Sequence, residues 1–283
     1  MTLYDTMIII FLSLIFILLL IRWRITSKYN YIKGIGKFDM SGCMTIGSRE
    51  VQEDCFYLKD SKNGVLLALA DGMGEPFGGR IASRIAIDVV ADMFDSYNPL
   101  DNPNYFFRKS YNTVNREILK GLQNGINGKT GLTSAIIYGN RLYYAAVGNV
   151  RLAVYRKGDL VEISIGHTIE SLAKEEFVTG KITRQEAVRL IENRRLYNFL
   201  GVDGFTDLEL FDKPVNLING DIVVLMTDGI YDLLSFSELE ESLNKKISTE
   251  QMALEIIEKV NRNTTENKDN ASIVLLKVGS GLS

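Results

Sequence analysis

Four short stretches set acids beside apolar, strand-like runs: Glu53 and Asp54 in "SREVQEDCFYL", Asp71 in "LALADGMG", Asp228 in "VVLMTDGIYD" and Asp269 in "NKDNASIVLL". Taken singly, each acid reads as a cap or a turn residue, and Asp71 reads equally well as the cap of the helix that follows its glycines. Together they suggest something else. If the adjoining strands are neighbours in one core, the carboxylates converge at one sheet edge, where each close pair repels by something on the order of several kcal/mol. Cations would be needed to hold them ionised together. An oxygen-only set with no His or Cys cluster selects hard ions, Mg²⁺ or Mn²⁺, over zinc. The chain's one histidine, His167, and its two cysteines, Cys43 and Cys55, cannot make a zinc site on their own. Both cysteines lie in strand-like segments and read as small buried hydrophobes.

The elements that must position these acids are strands. Strand-like pieces occur at Cys55–Leu58, Val65–Ala70, Leu132–Tyr138, Leu142–Val147, Arg151–Tyr155, Leu160–Ile163, Asp221–Thr227 and Ala271–Val278. Tight turns in "YGNRL" and "YRKGDL" predict antiparallel hairpins. Two helical patterns interrupt them, one with a stripe at Ile81, Ile85, Val89 and Met93, the other at Phe107, Tyr111, Val114, Ile118 and Leu122. Later helices open with capping boxes at Thr183–Glu186 and Ser248–Gln251. The pattern is α+β, built from antiparallel strands rather than a doubly wound parallel sheet. A net charge of -3 gives no basic footprint for nucleic acid.

The N-terminus departs from this globular pattern. From Met7 to Ile21 the chain reads "MIIIFLSLIFILLLI", with Ser13 its only polar residue. Fifteen helical residues reach about 22 Å, so Thr6, Arg22 and Trp23 must help the segment span the roughly 30 Å apolar layer. The first six residues carry Asp5 and no Lys or Arg, which argues against a cleaved signal peptide. Arg22, Arg24, Lys28, Lys33 and Lys37 follow, and by the positive-inside rule they keep the rest of the chain in the cytoplasm. The expected layout is a single-pass anchor over residues 1–24 touching the bilayer through 7–23, a juxtamembrane linker over 25–37, and a folded domain over 38–279.

The order "SREVQED", "ADGMG", "TDGIYDLL", "KDNASIVLL" resembles the signature set of the type 2C, metal-dependent Ser/Thr protein phosphatases, and the resemblance runs from Phe38 to Val278. "GKITRQEA" is similar to that family's flap segment. The resemblance implies a four-layer β-sandwich with helices on both outer faces and two Mg²⁺ or Mn²⁺ ions at one end. Carried over, Asp71 would bridge both metals, Asp228 and Asp269 would bind one, and Glu53 with the Gly72 carbonyl would bind the other. Asp54 would orient metal-bound water and Arg49 would hold the substrate phosphate. Water bridging two such metals can attack phosphorus in phosphoserine or phosphothreonine of a protein substrate.

Two positions depart from the family pattern. Met73 stands where animal members carry a His, and Asn149 stands where an Asp usually helps to bind a third metal, so a third ion is not expected here. A structural account of Asn149 is also open: a hairpin amide bonded to nearby backbone. Two alternatives to the protein phosphatase remain, a binding module that keeps the fold without turnover and a hydrolase of small phosphoesters.

Overall fold

The computed structural model describes residues 38–74, 77–122, 126–191 and 195–279. The apolar run at 7–21 and the linker at 25–37 lie outside the described residues, and among the described residues no helix is long and apolar enough to cross a membrane.

Two antiparallel sheets make up the core. The first contains β1 (Asp39–Thr45), β6 (Arg151–Arg156), β7 (Asp159–Glu162), β10 (Ile222–Met226) and β11 (Ala271–Lys277), in the order β1-β11-β10-β6-β7. The second contains β2 (Cys55–Ser61), β3 (Gly64–Met73), β4 (Lys129–Tyr138), β5 (Arg141–Val147) and β8 (Glu209–Leu210) in chain order, with β9 (Val215–Asn216) also pairing β5. The predicted hairpins form, with Tyr138 opposite Arg141 and Arg156 opposite Asp159.

Alternation along the first sheet sorts its side chains into two cores. Val223 and Leu225 of β10, with Val274 and Leu276 of β11, join the core shared with the second sheet. Ile222, Val224 and Met226, with Ile273 and Leu275, face the other way onto helices α6 (Phe236–Leu243) and α7 (Thr249–Arg262). On the second sheet pack α1 (Gly78–Ser96) and α2 (Pro103–Gly121). Helices thus cover both outer faces.

Four sequence expectations need correction. The stripe at Ile81, Ile85, Val89 and Met93 is not the buried one; Ala82, Ala86, Ile87, Val90 and Phe94 fill the core. The predicted stripe flanks it toward α2, and Gly121 lies against Ile85. Small alanines let α1 lie close to the sheet, and the bulkier residues beside them attracted the periodicity. Asp71 does not cap α1: it pairs with Gly131 inside β3, and α1 starts from Phe77 with no side-chain cap. The list of eight strands lacked β1, an edge strand that is half-buried throughout, in which Gly42 makes room for the Phe56 ring. Two-residue β8 and β9 are too short to show a period.

Candidate metal centre

Antiparallel pairing brings the acid-bearing segments to one end of the sandwich. Thr45 closes β1 opposite Ala271, which opens β11; Met226 closes β10 opposite Ile273; Cys55 opens β2 opposite Ala70. Asp71 stands at the end of β3, Asp228 opens the short helix α5 (Asp228–Tyr231), and Asp269 precedes β11. All seven candidate residues therefore lie at this end: Arg49, Glu53, Asp54, Asp71, Gly72, Asp228 and Asp269.

Their electrostatics follow from that crowding. Burial pushes Asp54 up to about 7, helped by the charges of Asp228 and Asp269, although the Ser272 and Thr227 hydroxyls pull the other way. Asp228 is pushed up to about 6, first by burial and then by Asp269 and Asp232. Asp71 lies well above the usual carboxylate range, through burial and then the charges of Asp228 and Asp54. Arg49 donates to Asp269 at 2.7 Å, and both side chains are about half exposed.

Glu53 reaches the group through a close approach of backbone. A Cβ on Gly72 would lie 2.2 Å from the Gly79 carbonyl oxygen and 2.7 Å from that of Glu53; a Cβ on Gly79 would lie 2.5 Å from Glu53 Oε1. Only glycine fits at either position. The Gly72 backbone and the Glu53 carboxylate are thereby held against the first turn of α1. A cavity of about 660 Å³ opens beside Asp54, between Glu50 and the α1 side chains Arg80 and Arg84.

Asn149 sits among the acids. Its amide nitrogen donates to Asp71 Oδ2 at 2.9 Å and to Asp228 Oδ2 at 2.8 Å, while its Oδ1 is buried with no partner. The amide therefore bonds carboxylates and not backbone, which overturns the hairpin account of this residue. Its own carbonyl accepts from the Tyr231 hydroxyl at 3.0 Å.

The family model described as "Protein phosphatase 2C" matches residues 41–274. The chain belongs to the protein phosphatase 2C family. It is similar to the serine/threonine phosphatase stp of Listeria monocytogenes, at 27% identity over 225 residues covering 77% of this chain and 86% of that protein. Among solved structures, the Streptococcus agalactiae serine/threonine phosphatase superposes with a TM-score of 0.76 at 23% identity, covering 86% of this chain and all of the other. The catalytic domain of the phosphatase PstP, solved with two manganese ions, superposes with a TM-score of 0.67 at 25% identity over 85% of this chain and 98% of its own. As a 2C phosphatase, the chain is a metal-dependent phosphoprotein hydrolase.

Among the described residues of this phosphatase, no three acid, His or Cys side chains already converge as a cation cage. The donor set nonetheless suits hard cations: oxygen ligands, carboxylates raised by burial and then by one another's charge, and an orphaned amide oxygen in their midst. The Asn149 amide donates to Asp71 and Asp228, and Arg49 donates to Asp269.

The sequence reading missed the residues that support these. Asn270 takes the Glu53 N–H on its side-chain oxygen at 2.7 Å and donates to the Ile46 and Val51 carbonyls, fixing the loop that carries Arg49 and Glu53. Thr227 and Ser272 donate to Asp54 Oδ2 at 3.1 and 2.7 Å, and Thr130 donates to the Asp71 carbonyl at 2.8 Å. Asn270 and Thr227 adjoin a motif acid, but the bonds of all four run to distant segments, and nothing in the local sequence singles them out. His167 lies away from this chemistry: its Nδ1 accepts from Gly148 N–H and its own N–H donates to the Gly148 carbonyl, while burial lowers its pKa.

Proposed function

We propose that this phosphatase hydrolyses phosphoserine and phosphothreonine in proteins, with two Mg²⁺ or Mn²⁺ ions held by Glu53, Asp71, Asp228, Asp269 and the Gly72 carbonyl. The observation that carries the reading is the gathering of carboxylates raised by burial and by one another's charge at one end of a 2C fold, with the Asn149 amide bridging Asp71 and Asp228. Bound there, the ions supply an acidified water as nucleophile and neutralise charge on the attacking and leaving oxygens. Arg49, exposed at the rim and presenting a planar fork, binds the substrate phosphate in exchange for its bond to Asp269. Asp54 is fixed through Oδ2 by Thr227 and Ser272, which leaves Oδ1 to orient a water. Hydrolysis of a phosphothreonine peptide by the full chain in Mn²⁺, set against the same protein in chelator, tests this; equal rates in both would contradict it.

The chain is further read as a single-pass membrane protein, anchored through residues 7–23 and linked over 25–37 to a cytoplasmic domain at 38–279. The apolar run and the five basic residues after it support that orientation. Protease added to intact spheroplasts leaves the domain whole and degrades it only after lysis; digestion before lysis would reverse the topology.

A further inference from the structure

Lysines gather around one cavity at the end of the molecule opposite the acid cluster. This cavity of about 340 Å³ opens between the β6–β7 turn, the loop entering β10, the segment after α6 and the end of β11. Four lysines from three separate stretches border it: Lys157, Lys245, Lys246 and Lys277. Lys245 is held by Glu255 at 2.6 Å, but no carboxylate among the described residues pairs with the other three. Asp221, the acid bordering the cavity, is already committed to Arg156. Tyr155 also borders it, 5% exposed, with a buried hydroxyl that has no hydrogen-bond partner. Asp159 and Glu240 are the acids that act on this phenol, and Glu240 is engaged by the Leu160 N–H. Three ammonium groups with no carboxylate partner among the described residues, around a recess that Tyr155 also borders, make a site for an anion with several oxygens.

Its place in the fold says where the anion comes from. Lys277 is the register partner of Asp39 at the start of β1, and the Asp39 carboxylate accepts from Thr249, three residues beyond Lys246. The chain from the N-terminal segment therefore enters the domain beside this cavity, roughly 20 Å along β11 from the acid cluster. That segment is not the occupant, because residues 22–37 carry five basic residues and no acid.

We propose that the pocket binds a phosphate-bearing anion, the headgroup of an anionic lipid, and so turns the acid-lined end away from the bilayer. The proposal rests on residues 7–23 being a membrane anchor. The test uses the full chain in nanodiscs of phosphatidylcholine with or without phosphatidylglycerol, read by hydrogen exchange at residues 156–158 and 243–247. With phosphatidylglycerol these amides exchange about threefold or more slowly. The slowing is lost in roughly 0.5 M salt and in the Lys157→Gln/Lys246→Gln/Lys277→Gln variant. Equal exchange in both discs, or slowing that survives the triple substitution, overturns the proposal. So does protection by inorganic phosphate in detergent micelles without protection by the anionic lipid, because free phosphate is then the ligand. Carbonate extraction of membranes reports the anchor separately. If the chain is extracted, its sedimentation with phosphatidylglycerol vesicles reads the pocket alone, and lysine-independent or absent binding overturns the proposal.

Discussion

Two aspartates flank strand β10, and they have opposite fates. Asp221, before the strand, is 1% exposed and fully partnered: Arg156 donates to both its oxygens at 2.9 and 2.6 Å, and the Ile218 N–H adds a third bond. Asp228, after the strand, lies among the charges of Asp269, Asp232, Asp71 and Asp54 and has the Asn149 amide and the Gly229 N–H for relief. One strand thus carries a neutralised acid at one end and an acid in a repelling group at the other. Burial alone does not mark a functional acid; burial among other carboxylates, with no Lys or Arg partner among the described residues, points to one.

The largest effect expected from this contrast is on turnover. Asp71→Asn and Asp228→Asn lower Mn²⁺-dependent phosphopeptide hydrolysis by on the order of 10²–10³ or more, since each removes a carboxylate charge that would hold the metal ions. In chelator neither variant melts below wild type, because each relieves repulsion. Arg156→Ala behaves inversely. It leaves Asp221 buried and unpaired and lowers stability by about 2–4 kcal/mol in denaturant titrations, while activity per folded molecule stays unchanged. A loss of turnover matching that of Asp71→Asn would erase the distinction between the two ends.

Asn149→Asp is the next sharpest test. It removes two hydrogen bonds and adds a charge beside Asp71 and Asp228, so the chelated protein loses about 1–3 kcal/mol. With Mn²⁺ the added carboxylate recovers the loss, and activity saturates at lower Mn²⁺ or reaches a higher plateau. An unchanged Mn²⁺ dependence would show that position 149 only props the acids apart.

The smallest effect is on pH dependence. Asp54 and Asp228 have folded values near 7 and 6, above an unfolded carboxylate. Their protonated forms therefore stabilise the chelated protein at low pH, and that contribution is lost as pH rises through 6 and 7. Melting curves in chelator fall by a few degrees, about 2–6 °C, between pH 5.5 and 7.5. Saturating Mn²⁺ reverses the trend, because cation binding requires the ionised acids. Melting that rises with pH in chelator would mean the acids are already relieved.

The contrast also explains what the sequence carried and what it did not. The acids were legible because each ends or precedes a strongly apolar run, whereas the pairing of β2 with β3 and of β10 with β11 that gathers them comes from the fold. Gly72 was legible as a close approach, although its partner Gly79 was not, because the contact joins a strand to a helix. The edge strand β1 left a weak signal, being half-buried and holding Gly42 under Phe56. Asn270, Thr227 and Ser272 act through bonds to residues more than forty positions away, with no local pattern to betray them. Asp221 flanks the same apolar strand as Asp228 without a matching motif, and only the fold shows that Arg156 neutralises it.

The central claim is that divalent ions occupy the acid end and no other buried acid. Counting bound Mn²⁺ by electron paramagnetic resonance during titration of the wild type, Asp71→Asn and Asp221→Asn proteins tests it directly, at a temperature where all three stay folded. The account predicts about two tightly bound ions per chain in the wild type and in Asp221→Asn, with both sites weakened in Asp71→Asn. Equal Mn²⁺ binding by wild type and Asp71→Asn, or loss of binding in folded Asp221→Asn, would contradict it.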